Sequence, residues 1–164
     1  MGVGKTTVSH YLLDYLQPAV FLDGDWCWMM RPFVVNDESK ALVLDNISYL
    51  LNNFLRASLY DYVIFAWVMQ TQAILDGVRS RLAPGDYQTY CFTLTSSAES
   101  LTHRLQADIK AGLRQEDVLE RSLARLALYE KMATVKIDTT DLTAAQAARP
   151  IAALVSEKFN GKEP

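Results

Sequence analysis

Met1-Gly-Val-Gly-Lys-Thr-Thr-Val-Ser-His-Tyr-Leu-Leu-Asp-Tyr15 is the stretch from which the fold is read. Val8, Tyr11, Leu12, Tyr15 and Leu16 recur at helical spacing, so a helix begins near Lys5 and ends before Pro18. The residues ahead of it, Gly4-Lys5-Thr6, complete the pattern G-x-x-x-x-G-K-[ST]. Glycines let several backbone N–H groups converge on one point, and the helix N-terminus adds a partial positive charge there. The stretch from Gly2 to Thr7 is therefore expected to cradle phosphate, with Gly2, Val3 and Gly4 as backbone donors. Lys5 would neutralise the outer phosphates, the Thr6 hydroxyl would ligate Mg²⁺, and Thr7 would add a contact at the first helical turn.

The pattern's first glycine would fall two positions ahead of Met1, and the strand that should lead into the loop is not in the sequence. The natural protein is accordingly expected to carry roughly ten further residues in front, on the size of one strand and turn. Downstream, strand and helix patterns alternate. Ala19-Val-Phe-Leu22 is a short apolar run of buried-strand type. Val43, Ile47, Leu50, Leu51, Phe54 and Leu55 stripe a long helix, and 62–69 is a continuous apolar run of interior-strand type. A helix is expected over 73–82, a strand over 87–94 and a capping box at Ser96-Ser-Ala-Glu99. Leu119, Leu123 and Leu126 stripe a further helix, 134–138 is the last strand, and Pro150 kinks or divides the helix that starts near Ala144. Strands separated by helices mean right-handed βαβ units and a parallel sheet covered on both faces. Ligands of such sheets sit at the carboxyl ends of the strands.

Composition bounds the rest. The 164 residues make one domain, 50% hydrophobic and 21% charged, with net charge −3 and no basic block that would favour nucleic acid. No apolar run approaches the ~18 residues of a membrane span, and no secretory signal pattern is present. Cys27 and Cys91 lack metal-ligand spacing and are expected to be reduced thiols of a cytoplasmic protein.

Phe21-Leu-Asp-Gly-Asp25 places two carboxylates at a strand end, with Gly24 to turn the backbone. Asp23 is assigned to the metal side, and Asp25 to orienting an attacking hydroxyl and accepting its proton. Trp26, Trp28 and Phe33 follow, and Trp67 ends the third strand. Trp26 is expected to line a substrate pocket; Trp67 either stacks on a substrate ring or packs in the core. Gln70 and Gln72 either bond a polar substrate or cap the next helix. The segment 108–117, with Lys110, Gly112 and Arg114, is expected to be a hinged, charged lid that excludes water. Arg121 and Arg125 lie four apart, where Glu120 and Glu130 offer structural partners. His10 and His103 are read as structural.

Gly4-Lys-Thr-Thr followed by Phe21-Leu-Asp-Gly-Asp25 resembles the opening of gluconate and adenylylsulfate kinases. Arg125-Leu-Ala-Leu-Tyr129 and Ala133-Thr-Val-Lys-Ile-Asp-Thr139 resemble shikimate kinase. Over nearly its whole length the chain is similar to P-loop small-molecule kinases, and to bacterial nucleotide-kinase-like proteins grouped with AAA-type ATP-binding proteins. The resemblance implies an α/β, three-layer P-loop NTPase fold with a parallel sheet of order 2-3-1-4-5, counting the loop-bearing strand as the first, which is the strand missing here. It implies that Arg104 packs against adenine, that Lys110 and Arg114 lie in the lid with a cation reaching the transferring phosphate, and that Arg125 holds an anionic group of the substrate. Ala66-Trp-Val-Met-Gln70 stands where shikimate kinase has a glycine run, no Asp ends the third strand, and Arg31 and Arg56 match a substrate arginine only by location.

The function expected from these residues is Mg-dependent transfer of the γ-phosphate of ATP to a small acceptor: a nucleoside or nucleotide, a sugar acid or an antibiotic. Lys5, Asp25 and Arg114 are the catalytic candidates. Gly2, Val3, Gly4, Lys5, Thr6, Thr7 and Arg104 bind the nucleotide, Asp23, Asp25, Trp26 and Arg125 the acceptor, and Thr6 and Asp23 the metal. The protein is expected to be a monomer or dimer without nucleic-acid or membrane partners. The alternative is an ATP-binding switch without catalysis.

Overall fold

The structure is a computed structural model that describes residues 2–160; Met1, on which the expected chain start hangs, lies outside the described residues. The elements run α1 (Lys5–Tyr15), β1 (Ala19–Asp23), a 3-10 turn (Gly24–Trp28), α2 (Asp37–Arg56), β2 (Tyr62–Ala66) and α3 (Gln72–Arg79). They continue with β3 (Phe92–Thr95), α4 (Ala98–Lys110), α5 (Val118–Ala124), α6 (Leu126–Glu130), β4 (Val135–Asp138) and α7 (Ala144–Asn160).

Among the described residues all strand pairing is parallel, in two separate pairs. β1 joins β2 in the register Phe21↔Ile64, and β3 joins β4 in the register Leu94↔Ile137. Side chains alternate across each pair because successive residues of a strand point to opposite faces. Tyr62 and Ile64 of β2 pack with Phe92, Leu94 and Ile137 onto a cluster made by α1 and α7, in which Val8, Leu12, Ala147, Ala148 and Ile151 are buried. Val63 and Phe65 face the other way, onto Val43, Ile47 and Leu51 of α2 and Val78 of α3. The result is the expected helix–sheet–helix layering, with α1 and α7 bridging both strand pairs. Between the pairs lies a cavity of about 680 Å³ bordered by β2 and β3.

Element boundaries differ from expectation where a partner decides them. The third β pattern pairs only from Phe92; residues 87–91 are extended in sequence character but have no ladder among the described residues. β2 stops at Ala66, because β1 ends opposite it at Asp23. Helix α4 is capped by Ser97, whose hydroxyl accepts from Ser100 N at 3.1 Å, one residue after the Ser96 expected for a capping box. The Leu119–Leu126 stripe is split at Arg125 into α5 and α6, although Leu119, Leu123 and Leu126 still pack on one cluster. α7 continues through Pro150 as one helix. Cys27 and Cys91 are both free thiols, and no described helix is long and apolar enough to cross a membrane.

Candidate functional site

Helix α1 opens from Gly4, held in the left-handed region (φ 89°, ψ 18°). No atom lies within 4 Å of where a Cβ would stand, so glycine is required there by the dihedral alone. Val8 N donates to Gly4 O at 2.8 Å and starts the helical ladder. This places Lys5, Thr6 and Thr7 in the first turn, beside the carboxyl end of β1. The Thr6 hydroxyl donates to Asp23 Oδ2 at 2.9 Å, and the backbone N–H of Asp25 donates to Asp23 Oδ1 at 3.0 Å. Asp23 is buried with both oxygens engaged, whereas Asp25 stands on the turn, open to solvent on one side and desolvated on the other. The motif loop and the acidic pair, seventeen residues apart in sequence, thus form one cluster.

Charges in this cluster perturb one another. Burial pushes the Lys5 ammonium below its ordinary value, opposed by Asp25 and Asp23 and reinforced by the positive charge of Arg114. Burial, then the neighbouring Asp23 charge, pushes the Asp25 carboxyl above the ordinary aspartate range; Lys5 and Arg114 pull it back. Such opposed shifts in neighbouring groups make this cluster the candidate site. Arg114 of the 108–117 segment lies close enough to act on both Lys5 and Asp25, and its Nε also holds Asp108 Oδ2 at 2.8 Å. Gly112 takes φ 70° at the turn between α4 and α5. Lys110 ends α4 exposed and is not among the charges acting on Lys5 or Asp25.

Gly24 is needed for a reason the sequence concealed. Its φ is ordinary, but a Cβ there would meet Trp67 Cγ at 2.5 Å. The Trp67 indole is thus a packing surface, part of the cluster around Leu22 and Val43, and it presses the turn that carries both carboxylates. Gly24→Ala is expected to cost about 1–3 kcal/mol from overpacking. That is a fall of several degrees in the melting midpoint at this chain length, and scanning calorimetry checks it. Trp26, by contrast, is 56% exposed and meets Phe21 edge to face at 5.8 Å, so it stands at the mouth beside Asp25. His10 packs on Phe21 from α1 at 5.5 Å, a structural role as expected.

Other expected contributors lie elsewhere. Gln72 Nε2 bonds Asp76 Oδ1 and its Oε1 accepts from Ala133 N, while Thr71 caps α3; Gln72 is a brace rather than a cap. Arg121 pairs with Asp117 rather than with Glu120 or Glu130. Arg125 sits at the α5–α6 break, where its charge falls on Tyr129, and it is not among the charges acting on Lys5 or Asp25. Arg104 reaches across from α4 to Thr139 Oγ1 at 3.1 Å and to the carbonyls of Thr139 and Thr140, tying α4 to the loop after β4. With Gly2, Val3, Gly4 and Thr7 it lines a cavity of about 180 Å³ closed by Thr139, Leu142 and Thr143. Thr139 went unnoticed in the sequence. It is buried, and its hydroxyl donates to Thr95 O at 2.8 Å. Its only sequence signal is a polar residue directly after a strand.

Residues 1–123 match the AAA domain family. The chain belongs to the AAA domain family. This AAA domain is similar to the solved tunicamycin resistance protein of Deinococcus radiodurans, at 23% identity and TM-score 0.63, covering 94% of this chain and 90% of that one. It is also similar to a sugar kinase from Janibacter sp. HTCC2649 (19%, TM-score 0.67, 94% and 89% covered). A gluconokinase from Sinorhizobium meliloti 1021 matches at 18% and TM-score 0.66, with 100% and 93% covered. At such identities the likeness establishes the fold, the α/β P-loop fold of these kinases. No curated protein matches the chain.

Proposed function

We propose that this AAA domain is a Mg·ATP-dependent phosphotransferase acting on a hydroxyl of a small molecule. The observation that carries the reading is the Thr6–Asp23 hydrogen bond, which brings the loop and the acidic pair together with Lys5, Asp25 and Arg114 at one strand end. A binding switch has no use for a carboxylate raised in basicity beside a phosphate cradle; a transferase does.

The residues fit a hard divalent cation. The Thr6 hydroxyl donates a hydrogen bond to Asp23, which leaves its oxygen lone pairs for a metal, and Asp23 would supply carboxylate oxygen. No cluster of three or more His, Cys, Asp or Glu side chains able to hold a metal occurs among the described residues. Mg²⁺ keeps waters and takes one or two protein oxygens plus substrate phosphates, a role that Thr6 and Asp23 could fill. When bound, the ion supplies charge neutralisation at the outer phosphates.

The roles of the side chains follow. The backbone N–H groups of 2–7 and Lys5 hold the phosphates, and Arg104 with Thr139 and Leu142 borders the space for the base. Asp25 orients the acceptor hydroxyl and takes its proton as the acceptor oxygen bonds to the γ-phosphorus. The bond from that phosphorus to the β–γ bridging oxygen breaks, and ADP leaves. Arg114 approaches from the lid to meet charge on the transferring group, and Trp26 offers a face to the acceptor. Arg125 is retained as an acceptor contact only for a ligand that extends toward α6.

Arg114→Ala is expected to lower kcat about 10²-fold with little change in Mg·ATP affinity. Asp108→Ala removes only a half-exposed tether of under ~1 kcal/mol, so kcat should move less than about fivefold. Steady-state kinetics on both variants decide. The reading as a whole is tested by acceptor-dependent ADP release across nucleosides, nucleotides, sugar acids and antibiotics; the named resistance protein among the fold's relatives makes antibiotics part of that panel. One acceptor should raise the rate well above the acceptor-free background. If Mg·ATP stabilises the protein against melting and no acceptor raises the rate, the chain is a nucleotide-binding switch.

A further inference from the structure

The segment that follows the acidic pair shows its apolar side chains to solvent. Trp26, Met29, Phe33, Val34 and Val35 are between 42% and 87% exposed. Single exposed apolar residues are normal, but a contiguous run of them marks a contact surface. The segment is nonetheless firmly held. Cys27, Trp28 and Met30 turn inward onto the cluster around Leu22, Val43 and Ile47. Met29 N donates to Trp26 O at 3.4 Å and Met30 N to Trp28 O at 2.8 Å, which closes the 3-10 turn. Residues three apart eclipse in a 3-10 helix, so Trp26 and Met29 stand on one side of that turn. Phe33 returns to it, its ring 5.9 Å from that of Trp28. Beyond Val35, Asn36 caps α2 by accepting from Ser39 N at 2.8 Å. The inward residues and the cap thus hold an apolar shelf outward, and the shelf begins at Trp26, directly after Asp25.

Charge along the shelf runs against an anionic ligand. Lys5 and Arg114 are the side-chain cations acting on Asp25, and in the phosphotransfer reading both are taken by the phosphates. Arg31 is the only cation in the sequence from 26 to 35; it is exposed and is not among the charges acting on Asp25. α2 then opens with Asp37 and Glu38, both exposed. A carboxylate or phosphate carried by the acceptor would find no cation left for it beside Asp25, and carboxylates at the far end of the shelf.

We propose that the acceptor is an uncharged amphiphile, with its hydroxyl at Asp25 and its apolar body laid along Trp26, Met29 and Phe33. The place of the hydroxyl rests on the phosphotransfer reading; the place of the body rests on the shelf alone. A sugar acid or a nucleotide would instead need an arginine of its own.

The probes are methyl, butyl and octyl glucoside, kept below the concentration at which the octyl compound forms micelles, with octyl glucuronide as the charged match. Indole fluorescence reads binding, since Trp26 is the exposed indole. Affinity should rise at least about tenfold from butyl to octyl, at roughly twofold per methylene on an open shelf. Octyl glucuronide should bind several-fold more weakly than octyl glucoside. The double variant Met29→Ser, Phe33→Ser should erase the dependence on chain length, and Trp26→Phe should remove most of the fluorescence change. All three positions are exposed, so the melting midpoint should hardly move.

No binding, affinity independent of chain length, or a glucuronide that binds as well as the glucoside contradicts this placement. So does a dimer that the double variant dissolves, since a second copy then covers the shelf. Binding to phosphatidylcholine vesicles without binding to the dispersed glucosides contradicts it as well. The phosphotransfer reading fails separately. Chain-length-dependent binding with no phosphate ester formed on any acceptor would overturn that reading and leave the shelf as a binding site. A phosphorylated sugar acid with no chain-length effect would do the reverse.

Discussion

Asp25→Asn lowers kcat by about 10²–10⁴ while Mg·ATP binds as before. The substitution keeps the shape of the side chain and removes the basic oxygen that takes the acceptor proton. Asp23, the residue bonded to Thr6, is untouched, so the metal side of the site stays built. Two further consequences follow from the direction of the shift at Asp25, raised by burial and by the charge of Asp23. First, the acid limb of the wild-type kcat/KM profile should lie above the ordinary aspartate range and vanish in the variant. Second, a carboxyl whose folded pKa exceeds its unfolded one contributes stability at low pH, and that contribution is lost as pH rises through the folded value. At neutral pH the charged Asp25 is a cost, so Asp25→Asn should melt at the same temperature as wild type or higher. Turnover and melting measured on one preparation separate this from damage to the fold, which would lower both.

Lys5→Met has the second large effect, and its signature is opposite in the two states. With nucleotide, the loss of the phosphate-facing cation should lower kcat/KM by about 10²–10³. It should also remove most of the stabilisation that Mg·ATP gives, about 2–3 kcal/mol at ~100 Kd in the wild type. Without nucleotide, the variant should be at least as stable as wild type. Burial lowers the Lys5 pKa, opposed by Asp25 and Asp23. An ammonium whose folded pKa is depressed is held at a cost below that pKa, and the cost is relieved only as pH rises through it. A thermal melt with and without Mg·ATP reads both halves. A Lys5→Met protein that is less stable without nucleotide would mean that Lys5 serves the fold instead.

Much of this was legible in the residues because short apolar runs ending in polar residues are what buried parallel strands produce. Ala19-Val-Phe-Leu22 followed by Asp23 places a carboxylate at a strand end without any structure, and Gly4-Lys5-Thr6 places a helix start beside it. The parallel pairing of β1 with β2 and of β3 with β4 fits the strand order that the resemblance to P-loop kinases implies. What sequence did not disclose depends on contacts between distant residues. Gly24 looked like a turn glycine, yet it is constrained by the Trp67 indole, 43 positions away and readable only once β2 lies beside β1. Arg104 looked like a residue for the base alone. Its hydrogen bonds go to Thr139 and Thr140, so in the structure it anchors the loop after β4. Residues 87–91 have strand character, but the ladder with β4 starts at Phe92, after a single backbone bond from Val135 N to Cys91 O. Arg125 followed a likeness to shikimate kinase; here it breaks a helix and faces Tyr129.

The account makes one chemical commitment: the γ-phosphate leaves ATP for an acceptor oxygen at a site made by Lys5, Asp23, Asp25 and Arg114. ADP release alone does not separate that from hydrolysis, because water and acceptor liberate the same ADP. Phosphorus NMR of Mg·ATP incubated with protein and the acceptor that most raises ADP release follows the phosphorus itself. A new phosphate-ester resonance growing in step with ADP, and absent with Asp25→Asn, is the expected result. Inorganic phosphate growing in its place, at the same rate in both proteins, would contradict the account.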